Sequence, residues 1–268
     1  MRTCGIDMGA RATKAVVVDD GRPVAEAVAD TGSDPIAAAQ HVLATVLSRA
    51  GIKESDLRCV VATGYGRRGL PFASTTVTEI TCQARGVRHV APEARGILDV
   101  GGQDTKAIAL DEEGRIRDFL LNDRCAAGTG RFLEVMAGAL GLDPDEAGRL
   151  ALTADRPVAI ASTCTVFAES EIVSLRAQGH RREAILAGVH AAVAARLKGM
   201  AQRIVMESPV VFTGGVAQYP AAVEAVRAAL REVGLEVIVP PSPQTTGALG
   251  AALVGMDRVR SVPAVSSS

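Results

Sequence analysis

The chain contains an internal repeat, and this repeat limits its fold more than any other feature. The stretch IDMGARATKAVVVDDG, Ile6 to Gly21, recurs 92 residues later as LDVGGQDTKAIALDEEG, Leu98 to Gly114. Each copy is an apolar strand, a glycine turn and a second apolar strand that ends at acidic residues, which is typical of a β-hairpin. Two such hairpins predict two related domains.

A second pair of segments supports the duplication. VVATGYG, Val60 to Gly66, resembles VVFTGGV, Val210 to Val216, and both are β-branched strands that stop at Thr-Gly. This pair is separated by 150 residues, so the second half should contain about 58 additional residues between its hairpin and its Thr-Gly turn. That insertion contains Cys125 and Cys164.

Helical and strand patterns alternate along the chain. Apolar residues recur at helical spacing in AAAQHVLATVLSRAG, RFLEVMAGALG, EAILAGVHAAVAARLKGMAQRIV and AAVEAVRAALREVG, the first and last ending at a glycine stop. EVIVP indicates a late strand, and TGALGAALVG indicates a helix after it. The pattern predicts an α/β protein with helices on mixed sheets. We expect a first domain at 1–95, a second domain with the cysteine-bearing insertion at 96–257, and a flexible tail at 258–268.

Composition excludes several classes of protein. Lys plus Arg (29) nearly equals Asp plus Glu (30), and no long basic run is present, so no nucleic-acid partner is expected. The most apolar helical segment, Ile185 to Leu197, is interrupted by His190 and Arg196, and the N-terminal residues lack an apolar signal core. We therefore expect a soluble cytoplasmic protein that does not use a membrane. The five cysteines are odd in number and widely spaced, which argues against a secreted disulfide framework.

The hairpin turns have the chemistry of a phosphate site. An aspartate at a strand end can serve Mg²⁺, and the glycine turn after it lets backbone N–H groups approach a polyphosphate. Asp7 and Asp99 fit this role, and Gln103 or Asp104 could orient an attacking water. The remaining candidates for nucleotide binding in the turns are Gly9, Ala12, Thr13, Lys14, Gly101, Gly102 and Lys106.

A simpler interpretation is that DxG only makes a tight hairpin and that Lys14 and Lys106 are solvated strand residues. Two matching copies, together with two Thr-Gly turns in the same order, favour the nucleotide site. The segment NDRCAAGTG is a poor phosphate loop, because GxxxxGK[ST] needs Lys-Ser/Thr after its last glycine and Gly130 is followed by Arg131 and Phe132.

These turns resemble those of the actin, heat-shock chaperone and sugar-kinase superfamily. The resemblance rests on the DxG turn, the DxGGxD turn and the late Thr-Gly-Gly. It implies two ribonuclease-H-like domains of the actin-like ATPase kind, with an inter-domain nucleotide cleft for Mg-ATP. It also implies that Gly214 and Gly215 lie against the adenosine, although an ordinary strand-end turn is the alternative for this pair.

The cysteines divide into two groups. Cys4, Cys59 and Cys82 lie in apolar surroundings and are expected to be inert. Cys125 and Cys164 each lie in a polar, glycine- or threonine-flanked segment before a helical pattern, where a thiolate is electrostatically favoured. Two thiolates cannot complete a four-coordinate site, but a symmetric dimer would supply twice as many. From the residues alone, two inert thiols remain an alternative.

Seven segments together resemble one family, the activators of 2-hydroxyacyl-CoA dehydratases, which are related to the ATP-hydrolysing subunits of benzoyl-CoA reductase. They occur in the family's order and span nearly the whole chain. Members often carry histidine at the position of Gln83. This departure puts at most the local packing or tuning around Gln83 in doubt. The segments are GIDMGARATK, VATGYGRR, LDVGGQDTKAI, NDRCAAGTGRFLEVMA, STCTVFAESEIVSL, TGGVA and PQTTGALGAAL.

The resemblance implies a homodimer that hydrolyses ATP with Mg²⁺ and donates one low-potential electron. Cys125 and Cys164 would be the ligands of one 4Fe-4S cluster per homodimer. The partner would be a 2-hydroxyacyl-CoA dehydratase or related reductase, and a flavodoxin or ferredoxin would refill the cluster. Nucleotide state would change the conformation around the cluster.

Other functions remain open on the sequence. A benzoyl-CoA-reductase-like or double-cubane-cluster system would use an ATPase subunit with the same motifs. A sugar or metabolite kinase of the same fold explains the turns but not Cys125 and Cys164. A chaperone-like ATPase that only changes shape with nucleotide is a third possibility.

Overall fold

The protein consists of two compact units. The computed structural model describes residues 1–122, 125–161 and 164–261. Met1–Pro92 and the segment that begins at Gln244 form the first unit, and Glu93–Pro243 forms the second.

The described part of the first unit contains strands on which helices pack. Its strands are β1 (Arg2–Met8), β2 (Ala12–Asp19), β3 (Arg22–Asp30), β4 (Leu57–Thr63) and β5 (Thr75–Thr76), and its helices are α1 (Pro35–Ala50), α2 (Glu79–Val90) and α8 (Thr246–Ser261).

The described part of the second unit has a corresponding sheet and more helices. Its strands are β6 (Gly96–Val100), β7 (Thr105–Leu110), β8 (Ile116–Asn122), β9 (Val210–Thr213) and β10 (Val237–Ile238), and its helices are α3 (Gly130–Ala139), α4 (Pro144–Ala151), α5 (Thr165–Ala177), α6 (Arg182–Arg203) and α7 (Pro220–Arg231).

The two sheets have the same topology, which confirms the duplication. The strand orders are β3-β2-β1-β4-β5 and β8-β7-β6-β9-β10. In each sheet the hairpin strands are antiparallel, and the first of them also pairs in parallel with the Thr-Gly strand. The predicted hairpins are therefore correct, but each continues into a third antiparallel strand, β3 or β8. Both third strands are mostly exposed, so they lack the apolar pattern that marks the first two.

The structure contains a long connection where the sequence predicted an insertion. Helices α3, α4, α5 and α6 lie between β8 and β9, whereas α1 lies between β3 and β4. Cys125 and Cys164 belong to this connection. Most of the buried core of the second unit is packed between these helices and its sheet.

Helix α8 explains why the units differ from the predicted boundaries. We expected 96–257 to form the second domain, but α8 packs on β1 and α2 of the first unit. Small residues permit this packing, because a side chain at Gly250 would collide with the backbone of Cys82, and one at Gly86 with the backbone of Thr246. The helix continues to Ser261, so the first residues of the predicted tail at 258–268 are helical; 262–268 lie outside the described residues.

Both predicted glycine stops cap their helices in the same way. Helix α1 ends at Ala50 and is capped by Gly51, which adopts the left-handed conformation (φ 65°) and donates its amide to carbonyls of the last turn. In α7 the amides of Gly234 (φ 75°) and Leu235 donate to the carbonyls of Arg231 and Leu230, which is the spacing found at the end of α1.

Helix α6 is long and apolar because it is a core helix. Among the described residues it alone has the length and composition of a membrane span, and more than half of its most apolar stretch is buried in the protein. Val189, Val193 and Leu197 are almost completely buried in the second unit. The core of a folded unit accounts for its composition.

Candidate functional site

The first hairpin turn joins β1 to β2 and carries an ion pair. Asp7 and Lys14 are paired across the strands, and Lys14 Nζ donates to Asp7 Oδ2 at 3.0 Å. Their side chains are only 18% and 15% exposed. The Gly9 amide closes the turn by donating to the carbonyl of Ala12. A Cβ at Gly9 would lie 2.8 Å from that oxygen, so the turn requires glycine.

Thr13 lies behind this turn. It is fully buried, and its hydroxyl is 2.9 Å from that of Thr31. The Thr31 hydroxyl donates to the carbonyl of Gly9 at 2.7 Å. The two threonines therefore hold the turn from inside the unit.

The Asp7 carboxylate also lies near the start of α8. A Cβ at Gly247 would be 3.4 Å from Asp7 Oδ2 and 3.1 Å from Gln83 Oε1. Gln83 is buried, and its amide donates to the hydroxyl of Thr246 at 2.8 Å. Gln83 thus ties α2 to the first turn of α8 below the carboxylate, so the residue that departs from the resembled family lies in the same polar cluster as Asp7.

The second hairpin turn holds a larger network of charges. Lys106 Nζ donates to Asp104 Oδ2 at 2.7 Å and to Asp99 Oδ2 at 3.5 Å. The Lys106 side chain is only 7% exposed, so its ammonium group lies buried between the two carboxylates. Gly101 donates its amide to the carbonyl of Asp104, as Gly9 does to Ala12. Gln103 is exposed at the tip of the turn.

The Thr-Gly strand completes this network. Asp99 pairs in register with Thr213 of β9, and the Thr213 hydroxyl donates to Asp99 Oδ1 at 3.1 Å. Gly214 follows with φ 89°, and a side chain there would collide with the backbone of Val100. Gly215 begins a short 3₁₀ turn. The structure thus brings together Asp99, Asp104, Lys106 and the Thr-Gly-Gly segment.

The equivalent threonine of the first unit is bonded differently. Thr63 pairs with Asp7 as Thr213 pairs with Asp99. Its hydroxyl is buried and makes no conventional hydrogen bond; it faces the thiol of Cys82, a weak hydrogen-bonding group. The two halves therefore share their backbone register but not their hydrogen bonds.

Cys125 and Cys164 differ from the other cysteines in exposure. Cys164 is exposed at the N-cap of α5, and Cys125 is partly buried ahead of α3. Helices α3 and α5 pack against each other. Burial raises the pKa of the Cys4 and Cys82 thiols to about 12, so these two remain protonated. Among the described residues, no group of three or more His, Cys, Asp or Glu side chains could hold a metal ion.

The second turn is hydrogen-bonded to the cysteine-bearing insertion. The amides of Gly130 and Arg131, at the start of α3, donate to the carbonyls of Gly101 and Gly102 at 2.9 and 2.8 Å. Thr105, next to the turn, donates its hydroxyl to the carbonyl of Gly128 at 2.8 Å.

A family model matches residues 4–255, described as the BadF/BadG/BcrA/BcrD ATPase family. The chain belongs to this family. It is similar to the activator of lactoyl-CoA dehydratase from Anaerotignum propionicum, at 47% identity over 94% of this chain and 96% of the relative.

Two solved structures of activators are also similar. One is the activator of the 2-hydroxyisocaproyl-CoA dehydratase from Clostridium difficile with bound ADPNP, with a TM-score of 0.91, 42% identity and coverage of 97% of this chain and 96% of that one. The other is component A of the (R)-2-hydroxyglutaryl-CoA dehydratase from Acidaminococcus fermentans, with a TM-score of 0.91, 39% identity and coverage of 97% and 99%. The expected actin-like ATPase fold, the family and the ATPase activity are thereby confirmed.

Sequence reasoning missed the hydrogen bonds that three threonines make at and beside the two turns. Thr31, Thr105 and Thr213 bond to Gly9, Gly128 and Asp99, respectively. A signal was available for two of them: Thr105 belongs to the repeated TKA motif, and Thr213 ends the repeated Thr-Gly strand. Thr31 has no counterpart in the repeated segments.

Proposed function

We propose that this protein is an ATP-dependent reductive activator that passes one low-potential electron to a 2-hydroxyacyl-CoA dehydratase or a related reductase. The relatives named above are activators of such dehydratases and match over nearly their full length. The observation that carries the proposal is the placement of Cys125 and Cys164 ahead of two helices that pack together.

The two hairpin turns are proposed to bind the phosphates of Mg-ATP. Each ends a strand with an aspartate that is held by a lysine, so the carboxylate is oriented before a ligand arrives. An oriented carboxylate can hold Mg²⁺, directly or through its water ligands. ATP hydrolysis depends mainly on positioning and on neutralising charge, which Lys14 and Lys106 can supply.

Gln103 is the better candidate for orienting the attacking water. Asp104 is bonded to Lys106 at 2.7 Å, which occupies its carboxylate. Gln103 is exposed at the tip of the same turn, and its amide can both donate to and accept from a water. Glutamine has this role in other nucleotide hydrolases.

Cys125 and Cys164 fit a cluster shared by two chains. A 4Fe-4S cluster needs four thiolates, and Cys125 and Cys164 of one chain supply half of them. When bound, such a cluster would supply a single electron at low potential. Cys164 is exposed at the N-cap of α5, and Cys125 is partly buried ahead of α3.

An apolar patch on α5 suits the proposed homodimer. Val166, Phe167 and Val173 are 69%, 68% and 58% exposed, and all lie within ten residues of Cys164. Val166 and Val173 are seven residues apart, so they lie on one face of the helix. A second copy would bury this face and bring its own two thiolates. A flavodoxin or ferredoxin is proposed as the electron donor.

Anoxic reconstitution with iron and sulfide tests the proposal. We expect a brown protein with broad absorption near ~400 nm and about four iron atoms per two chains. Cys125→Ser and Cys164→Ser should each lose the colour, whereas Cys59→Ser, which changes a buried cysteine, should keep it. With ATP and a reduced flavodoxin, the brown protein should reduce a dehydratase.

A colourless protein after this treatment would contradict the cluster. Equal iron content in the Cys125→Ser variant would contradict the assigned ligands. Phosphorylation of a sugar by the colourless protein would identify it as a kinase of the same fold.

A further inference from the structure

Residues 125–131, called the Cys125 segment below, are attached to the second hairpin turn by backbone hydrogen bonds. Gly130 and Arg131 donate to the carbonyls of Gly101 and Gly102. A carbonyl and the N–H of the next residue belong to one rigid peptide plane, so a ligand that moves the turn also reorients these acceptors. The start of α3 is thus fastened to the backbone of the proposed phosphate site.

Thr105 provides a second attachment. It is fully buried in β7, and its hydroxyl donates to the carbonyl of Gly128. Gly128 has φ 84°, and a Cβ there would be 2.6 Å from the Cδ of Arg196, so its backbone packs closely against this side chain. Asn122 holds the preceding residues by donating to the carbonyls of Cys125 and Ala127, both at 3.1 Å.

The duplicated half shows that this attachment is not needed to build the turn. Thr13 is the counterpart of Thr105, and its hydroxyl bonds to Thr31, which supports Gly9 of its own turn. In the second half, the corresponding hydroxyl instead bonds to the cysteine-bearing insertion.

We propose that Thr105 is a positioning residue that makes the Cys125 segment respond to nucleotide at the Gly101-Gly102 turn. Nucleotide bound at the turn restricts the carbonyls that hold α3, and Thr105 extends this restraint to Gly128 and the residues before it. The inference rests on the proposed role of Cys125, and it assigns the link between the nucleotide turn and that ligand to one side chain.

The test uses cluster-free full-length protein, so it does not depend on iron. The alkylation rate of each cysteine is measured by mass spectrometry with and without a saturating non-hydrolysable ATP analogue. In the wild type, the analogue should slow alkylation of Cys125 by about threefold or more, because protection follows the free energy of local opening. In Thr105→Val this ratio should fall to about one with the analogue still bound, and Thr105→Ser should restore it.

Two controls separate positioning from general loosening. Thr3→Val removes an equally buried hydroxyl that donates to a backbone carbonyl at the same 2.8 Å, outside both turns, and it should keep the response of Cys125. Amide hydrogen exchange in the wild type provides a measurement that needs no variant: bound analogue should slow exchange at Gly130 and Arg131.

The inference is overturned if Thr105→Val keeps the nucleotide response of Cys125, or if bound analogue leaves exchange at Gly130 and Arg131 unchanged. Neither result would affect formation of the brown cluster, so failure here is distinct from failure of the proposed function. Conversely, a protein that binds no iron could still show the full response.

Discussion

The paired threonines Thr213 and Thr63 offer a direct measurement of what one hydrogen bond contributes. Both end a Thr-Gly strand beside a turn aspartate, but Thr213 donates to Asp99 whereas the Thr63 hydroxyl makes no conventional hydrogen bond. A hydrogen bond to a charged group stabilises by about 1.5–3 kcal/mol. The Asp99 side chain is 15% exposed and also contacts Lys106, so we expect Thr213→Val to lower the free energy of unfolding by about 2 kcal/mol.

Thr63→Val should have a very different effect. Valine has nearly the same shape as threonine, and the change removes a buried hydroxyl without a good partner. We expect a free energy of unfolding between that of the wild type and about 1 kcal/mol above it.

Urea unfolding of the ligand-free protein, followed by far-UV circular dichroism, measures both changes. Thr213→Ser keeps the hydroxyl and should recover most of the lost stability, apart from the cost of the missing methyl group. If Thr63→Val destabilises as much as Thr213→Val, or if Thr213→Val is neutral, then the hydrogen bond to Asp99 does not decide the difference between the halves.

Three further changes can be predicted from single contacts. Burial lowers the pKa of His190 to about 4, so protonation of this side chain opposes folding. The free energy of unfolding should therefore fall by up to about 3 kcal/mol as the pH drops from about 6.5 towards 4. In urea unfolding at each pH, His190→Leu should remove this loss, whereas the control His180→Leu, at an exposed histidine, should not. Gly214→Ala should lower the free energy of unfolding by more than about 2 kcal/mol in thermal unfolding, because φ is 89° and the side chain would meet the backbone of Val100. The control Gly234→Ala has open space around the new side chain and should lower it by about 1 kcal/mol. Lys106→Met should reduce the steady-state rate of ATP hydrolysis by tenfold or more, because Asp99 and Asp104 lose their shared cation. A tenfold loss corresponds to about 1.4 kcal/mol in the activation barrier. An unchanged rate would refute this role of Lys106.

The ion pairs of the two turns could be inferred from the sequence because their residues are close together in the chain. Asp7 and Lys14, like Asp99 and Lys106, are seven residues apart and become cross-strand neighbours once a tight hairpin forms. Cross-strand pairs follow from the two-residue period of a strand, so a repeated sequence motif predicts a repeated contact between side chains. The same argument could not separate Gln103 from Asp104, since only the positions of their side chains show which one Lys106 holds.

The surroundings of Cys125 and Cys164 were harder to predict from the sequence. Polar flanks and helical patterns indicated that Cys125 and Cys164 precede helices, and the structure places them ahead of α3 and α5. The hydrogen bonds from Gly130 and Arg131 to the second turn were not predictable, because each joins residues that are 29 positions apart in the chain. The sequence between them contains no pattern that fixes this distance in space.

The amino-acid sequence by itself determined the duplication, the hairpins, the α/β class and the family, since these depend on local periodicity and on the order of short motifs. Only the tertiary structure decided which unit contains α8, which hydroxyls support the turns and how the second turn is joined to the cysteine segment. The Thr3 hydroxyl donates to the carbonyl of Ala252 across 249 residues of sequence, and Thr213 reaches Asp99 across 114. Such contacts depend on the packing of whole elements, in which small residues such as Gly86 and Gly250 let helix backbones approach, and no local pattern specifies the partner.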